Sequence, residues 1–169
     1  MSAKTSRPPA VSKFLAAWGK WAEEQRLIEL ASTSQYASRI LIVPKRKAGT
    51  AKTDPPDGMR VAHDLVRVNR GLKKVMPTYP NPLQAVLKAA KFKYKFQADG
   101  LKQYWSIPLH KSTRELTAFW LPGQGADSLP ELWQWKRLCM GTKNAATIAQ
   151  NAYTRALHEK LPKVSQTHS

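Results

Sequence analysis

The sequence predicts an α+β domain built on mainly antiparallel strands, and three features lead there. Apolar residues recur at helical spacing near both ends, short runs of strand-forming composition crowd the middle, and Pro and Gly punctuate the chain between them. With 169 residues, 42% of them hydrophobic and six of them Trp, there is material for one core. No internal repeat or long low-complexity segment suggests another architecture.

Residues 1–11, with Pro8 and Pro9, read as a loose tail. Phe14, Trp18, Trp21 and Ile28 fall on one face of a 3.6-residue period, interrupted at Gln25, which predicts a helix over about 12–30 whose aromatic stripe packs. The small hydroxyl residues of ASTSQYAS end it, and RILIV, from Arg39, reads as a buried strand. Residues 44–60, PKRKAGTAKTDPPDGMR, hold Gly49, Pro55, Pro56 and Gly58 with five cations and form an exposed, mobile, positively charged loop between strands. MRVAHDLVRVN then resumes a strand and runs into a short helical piece.

Pro77, Pro80 and Pro82 mark an irregular crossing. Asn81 is an N-cap and Pro82 suits the first turn of a helix through LQAVLKAAKFK. Tyr94, Phe96 and Ala98 alternate with Lys95 and Gln97, the period of a half-buried strand, and Asp99 stands where that strand ends. YWSIPL and LTAFWLP read as short strands, GQGADSLP as a turn, and LWQWKRLCM as a strand in which Trp133, Trp135 and Arg137 share a face. Helix formers run from Thr142 to about Leu161, so the domain spans 12–162 and residues 163–169 are a C-terminal tail.

The charge narrows the function. Twenty-eight Lys and Arg against 11 Asp and Glu give +17, which favours a polyanionic partner held by counterion release. The competing readings are a protein kept soluble by its charge and one that binds an anionic membrane surface. The single cysteine, Cys139, closes no disulfide, and neither paired Cys/His nor the four His at 63, 110, 158 and 168 show metal-binding spacing, which argues against a nuclease or phosphatase. No apolar run is long enough for a membrane span or signal peptide, so the expectation is an intracellular protein, cytoplasmic or nuclear, with no membrane partner.

Four blocks stand in order: LIELASTSQYASRILIVPKRK at 27–47, GMRVAHDLVRVNRGLKK at 58–74, YPNPLQAVLKAAKFKYKFQADGLKQYWSIPL at 79–109, and WQWKRLCMGTKNAATIAQ at 133–150. Together they resemble the fingers and first half of the palm of the reverse transcriptase (RNA-directed DNA polymerase) of gypsy-type long-terminal-repeat retrotransposons. Arg60, Asp64 and Asn69 occupy family positions in the second block, and the glycine turn, the Asn144-Ala145 pair and Gln150 do so in the fourth. Gln35 replaces a usual proline, and Met140 stands where the family has glutamine or phenylalanine.

The resemblance implies a reverse-transcriptase-like fold and a role for Asp99, which by itself reads as a cap or turn residue. Such polymerases join a primer hydroxyl to a nucleotide's α-phosphate with two Mg²⁺ ions on carboxylates, and Asp99 matches the first of these as a catalytic, metal-binding residue. Gly100 and Leu101 offer neighbouring carbonyls, and Tyr104 matches the aromatic under the incoming sugar, its alternative being core packing beside Trp105. Lys45, Arg46, Lys47 and Arg60 match fingers cations that grip the triphosphate, and Met140 and Gly141 line the nucleotide pocket. The implied partners are an RNA or DNA template-primer, a dNTP and the remainder of the polymerase.

The family's Tyr-x-Asp-Asp hairpin, which supplies the other two carboxylates, is missing from the 19 residues that follow Gln150, as are the thumb, connection and RNase H parts. The expectation is therefore a fragment truncated before the catalytic hairpin and inactive alone, binding Mg²⁺ only if the missing carboxylates are supplied. The alternative is a non-enzymatic, basic nucleic-acid binder derived from such a domain. Sheet strands left without neighbours would also leave an edge prone to pairing with another chain.

Overall fold

The computed structural model describes residues 8–31, 33–44, 59–76, 81–95, 100, 102–123 and 128–160. It is an α+β arrangement of two small antiparallel sheets with helices packed around them. Helix α1, Pro9–Glu24, starts at a proline, whose fixed φ suits the first turn. Its stripe of Phe14, Leu15, Trp18 and Ala22 is buried in the core. Gly19 lies on that stripe because the strand segment Phe119–Leu121 comes close: a Cβ there would stand 2.8 Å from Leu121 Cδ1.

The helix expected over 12–30 stops earlier, and Ile28 belongs to strand β1, Ile28–Leu30. Arg26 takes a left-handed φ of 55°, Leu27 N–H donates to Ala22 O at 2.9 Å and Arg26 N–H to Glu23 O at 2.7 Å. This is a Schellman stop with arginine where glycine usually stands, so no glycine marks it in the sequence. Ile28 still reaches the same core, from the sheet.

Strand β1 pairs with β5, Glu131–Trp135, and β5 with β4, Phe119–Leu121, giving the order β1-β5-β4. Phe119, Leu121, Trp133 and Trp135 point to one face and are buried against α1. Trp18 lies 6.2 Å from Phe119 and 6.0 Å from Trp135, ring centre to ring centre, so the core is an aromatic cluster in tilted contact. Trp133 and Trp135 share a face as expected, whereas Arg137 lies beyond the end of the strand and is half-buried. The buried Thr117 hydroxyl donates to Arg114 O at 2.6 Å and accepts from Trp135 N–H at 3.1 Å, which satisfies a backbone donor inside the core.

The second sheet is a hairpin of β2, Arg39–Pro44, and β3, Met59–Asp64, paired in register from Arg39↔Asp64 to Pro44↔Met59. The exposed basic loop expected over 44–60 falls mostly on residues 45–58, which lie outside the described ones. RILIV is not buried on both faces: Ile40 is buried and Leu41 exposed, the alternation of a strand with one solvent face. The sheets are joined where Ser38 N–H donates to Ala118 O at 2.7 Å.

Helix α2, Val66–Gly71, follows β3 directly, and α3, Pro82–Ala90, begins as its sequence predicts, with Asn81 Oδ1 accepting from Leu83 N–H at 2.9 Å and Gln84 N–H at 3.4 Å. Every residue of α3 is exposed. The strand expected over 94–98 is not formed at Tyr94 and Lys95, which lie in a bend and an irregular stretch, and residues 96–99 fall outside the described ones. YWSIPL is not a strand either. Residues Gln103–Ser106 form a 3-10 turn entered through Lys102 at φ 50°, and only the next residues pair, with Leu109 N–H on Lys136 O and Leu138 N–H on Ile107 O, both at 2.8 Å. LTAFWLP is shortened to β4, since its first two residues close a 3-10 turn, Glu115–Thr117, after the short helix α4, Lys111–Arg114. Helix α5, Ala145–Lys160, agrees with the run of helix formers.

Candidate nucleotide and nucleic-acid interface

The turn between β5 and α5 is the best-defined part of the expected site. Leu138 and Cys139 are buried, Met140 is 56% exposed, and Gly141 takes φ 96°. A Cβ at Gly141 would lie 3.5 Å from His63 O, an ordinary contact, so backbone conformation and not lack of space calls for glycine there. Thr142 Oγ1 donates to Cys139 O at 3.2 Å and closes the turn.

A clasp from α2 fixes this turn. Asn69 Nδ2–H donates to Gly141 O at 2.8 Å while Asn69 Oδ1 accepts from Lys143 N–H at 2.8 Å. Lys143 Nζ in return donates to Asn69 O at 3.1 Å and Leu72 O at 2.9 Å, placing a cation on the carbonyl end of α2. Asn144 continues the seam, with Nδ2–H on Lys73 O at 2.8 Å and Oδ1 accepting from Val75 N–H at 3.1 Å. Arg67, Arg70, Lys73 and Lys74 are exposed along this clasped segment. The clasp thus holds the backbone of a basic segment against the turn that carries the exposed Met140, and its cations are chemically able to contact phosphates.

The other expected residues divide. Arg60 is exposed on β3, in register with Val43. Tyr104 sits half-buried in the 3-10 turn, whose Gln103 O and Ser106 Oγ lie 3.2 and 2.9 Å from Tyr153 Oη on α5. Gly100 approaches the same turn, where a Cβ would be 3.2 Å from Gln103 Cβ. Asp99, Lys45, Arg46, Lys47 and Leu101 lie outside the described residues. Among the described residues the structure joins Gly141 to Asn69, but no hydrogen bond or ion pair joins Arg60, Tyr104 and Met140 to one another.

The described acids do not suit a magnesium site. No three His, Cys, Asp or Glu among the described residues stand together in a way that could hold a metal ion. Asp64 accepts from Val66 N–H at 3.2 Å at the start of α2, and Glu159 pairs with Arg155 at 2.8 Å. Glu29, on the outer face of the three-stranded sheet, receives Arg114 Nη1 at 2.9 and 3.1 Å and Gln134 Nε2 at 3.0 Å, with Lys136 Nζ 3.8 Å away. Partial burial pushes its carboxyl up, but the bonds from Arg114 and Gln134 and the charges of Arg114 and Lys136 outweigh this and hold it below the usual carboxylate range. A polar cleft of about 500 Å³ is lined by Thr33, Ser34, Gln35, Tyr36 and Glu115. Its charged group is a carboxylate, which disfavours phosphate.

His63 shows no metal-binding spacing in the sequence, yet it is central to the packing beneath the turn. Its Nε2 accepts from Trp135 Nε1–H at 3.2 Å, and its ring lies edge-on to Phe119 and Trp135 at 4.6 and 5.3 Å. Burial pushes its pKa down to about 4, so the ring is neutral at pH 7 and Nδ1 carries the proton, with no partner for it among the described residues. The signal available in sequence was the alternation of β3, which puts Val61 and His63 on one face.

No family model matches the chain. It is 29% identical over 118 residues to the Gag-Pol polyprotein of avian reticuloendotheliosis virus, an alignment covering 69% of this chain and 10% of the polyprotein. It is also 26% identical over 170 residues to the Gag-Pro-Pol polyprotein of Mason-Pfizer monkey virus, covering 92% of this chain and 9% of that protein. These similarities are to retroelement polyproteins. The chain spans about a tenth of the length of the relatives it matches. The clasp between Asn69 and Gly141 therefore lies in a chain related to retroelement sequence. No helix among the described residues is long and apolar enough to cross a membrane.

Proposed function

We infer that the chain is the fingers and part of the palm of a retroelement reverse transcriptase of the long-terminal-repeat class, a portion that grips an RNA or DNA template-primer and an incoming dNTP but does not extend primers alone. The observation that carries this reading is the clasp. Two segments that resemble separate blocks of that family, with Asn69 in one and Gly141 in the other, are tied together by reciprocal hydrogen bonds. The similarity to viral polyproteins supports the same reading.

In this reading Asp99 is one of three carboxylates for two Mg²⁺ ions, and no catalytic step is assigned to the described residues. Lys45, Arg46, Lys47 and Arg60 bind triphosphate, and Tyr104, Met140 and Gly141 border the nucleotide. Purified protein is expected to bind a DNA-primed RNA template with affinity falling steeply in salt and to add no nucleotide with Mg²⁺ and dNTPs. Extension lost in Asp99→Ala would overturn the inactivity, and absence of template-primer binding would overturn the reading as a whole.

The charge supports a second reading, a non-enzymatic nucleic-acid binder derived from such a domain. There Asp99→Ala leaves RNA binding unchanged or slightly tighter, whereas reversing Lys45, Arg46 and Lys47 weakens it and flattens its salt slope. An unchanged slope after those reversals counts against this reading.

A further inference from the structure

From Leu65 to Ala98 the sequence holds Lys and Arg but no Asp or Glu. Within that span α3 ends at Ala90 and the chain leaves it through Lys91, Phe92, Lys93, Tyr94 and Lys95, all exposed and outside any strand. Phe92 is 66% exposed and Tyr94 83%, unusual for rings of this size, which normally find cover. Lys93 Nζ lies 5.5 Å from the centre of the Tyr94 ring, a cation–π contact that keeps a positive charge beside an open aromatic surface.

We propose that this Lys-aromatic-Lys-aromatic-Lys run is a binding site for single-stranded nucleic acid, with Phe92 and Tyr94 stacking on bases and Lys91, Lys93 and Lys95 contacting phosphates. The proposal rests on the nucleic-acid part of the function inferred above and adds the kind of strand and the residues that take it. Charge complementarity selects the partner class, since no acid in this stretch repels a phosphate backbone. Exposed rings select the strand: bases in a duplex hide their faces in the stack, while an unpaired strand offers one face per nucleotide without regard to sequence. A second copy of the chain is disfavoured by repulsion between two bodies of +17. A lipid surface is the competing anionic partner, and the vesicle arm of the test below separates it from a nucleic-acid strand.

The test is fluorescence anisotropy of the full chain with a labelled twelve-nucleotide oligo-dT, a duplex of equal length as comparator, at several NaCl concentrations. Wild type is expected to bind the single strand more tightly than the duplex. Phe92→Ser combined with Tyr94→Ser should weaken oligo-dT binding about 10- to 100-fold with the salt slope kept, as expected for lost base stacking. Lys91→Gln, Lys93→Gln and Lys95→Gln together should lower the slope by about 2, from roughly 0.7 per phosphate contact on a single strand. All five side chains are exposed, so circular dichroism should be unchanged in both variants.

If wild type binds and the aromatic variant binds equally well, the site is overturned while the nucleic-acid reading survives. If wild type binds neither single strand nor duplex, both fall. If vesicles containing phosphatidylserine are bound and lose binding in the aromatic variant while oligo-dT binding is unaffected, the partner is a lipid surface and the proposal is overturned.

Discussion

Asn69 holds both flanks of the turn at Gly141, donating from Nδ2 to the Gly141 carbonyl and accepting at Oδ1 from the Lys143 amide, each at 2.8 Å. Both contacts bond backbone groups that a turn leaves without regular partners. Asn69→Ala removes both and is expected to lower stability by about 2 kcal/mol, read as a lower urea midpoint with unchanged m-value. Asn69→Asp keeps an acceptor for Lys143 but sets an oxygen against the Gly141 carbonyl, so it should recover only part of the loss. Equal stability of Asn69→Ala and wild type would show that water replaces the clasp without penalty.

Gly141→Ala tests the turn from its other side. The Cβ has room, 3.5 Å from the nearest backbone oxygen, so the effect isolates the penalty of φ 96° on a residue with a side chain. The expected loss is about 1–2 kcal/mol in thermal or urea unfolding. Gly71→Ala is the control, because nothing lies within 4 Å of a Cβ there and its φ is not in the left-handed range. It should be neutral or slightly stabilising.

How much of this was legible depended on whether the deciding interaction was local. The start of α3 was readable because Asn81 and Pro82 specify it within three residues. The end of α1 was not, since Arg26 takes the left-handed position without a glycine to announce it. QYWS has strand composition but coils into a 3-10 turn, where Tyr153 bonds it from α5 and Trp105 packs on Trp21 and Trp135. In the site, Asn69 and Gly141 could each be picked out by resemblance, but the bond between them spans 72 positions and no local pattern encodes it. His63 looked idle because metal spacing was the question asked of it. Its function as an acceptor for Trp135 exists only once the hairpin packs on the sheet.

His63 makes stability depend on pH in a defined window. Its folded pKa is depressed to about 4 from the usual 6.5, so between these values the unfolded chain binds a proton that the native one refuses. The contribution of His63 to stability is therefore full above about pH 7, falls as the pH drops through 6.5, and is exhausted below about 4. The full contribution is at most about 3 kcal/mol, taking 1.36 kcal/mol per unit. His63→Gln should flatten the decline between pH 6.5 and 4, measured by urea unfolding at each pH. An unchanged decline would show that other groups cause it.

Glu29 adds acid sensitivity at lower pH. Because its carboxyl is held below the usual range by Arg114, Gln134 and Lys136, the stabilisation is present at neutral pH and is lost as the pH falls through the carboxylate region. The site is partly open, so Glu29→Gln should cost only about 1 kcal/mol at pH 7. At pH 3 the difference from wild type should nearly vanish. Raised salt should shrink the pH 7 difference too, and a difference independent of both pH and salt would assign the effect to packing.

Cys139 offers a way to watch the clasped turn directly. Its thiol is buried, burial pushes its pKa up, and the bond with Thr142 only partly opposes that, so thiolate is scarce and inaccessible in the native state. Iodoacetamide labelling must then wait for an opening. The residue after Cys139 is already exposed, and the turn that covers the thiol is held by Asn69, so the opening that matters is expected to be local. Asn69→Ala should speed labelling by about 30-fold, the factor for 2 kcal/mol at 298 K. Phe119→Ala is the contrast, since it removes a fully buried core ring and lowers global stability by about 3–5 kcal/mol without touching the clasp. If labelling of that variant stays near the wild-type rate, Cys139 opens with the turn. If instead it accelerates in proportion to the lost global stability, Cys139 is exposed by whole-domain unfolding and the clasp is no weaker than the core.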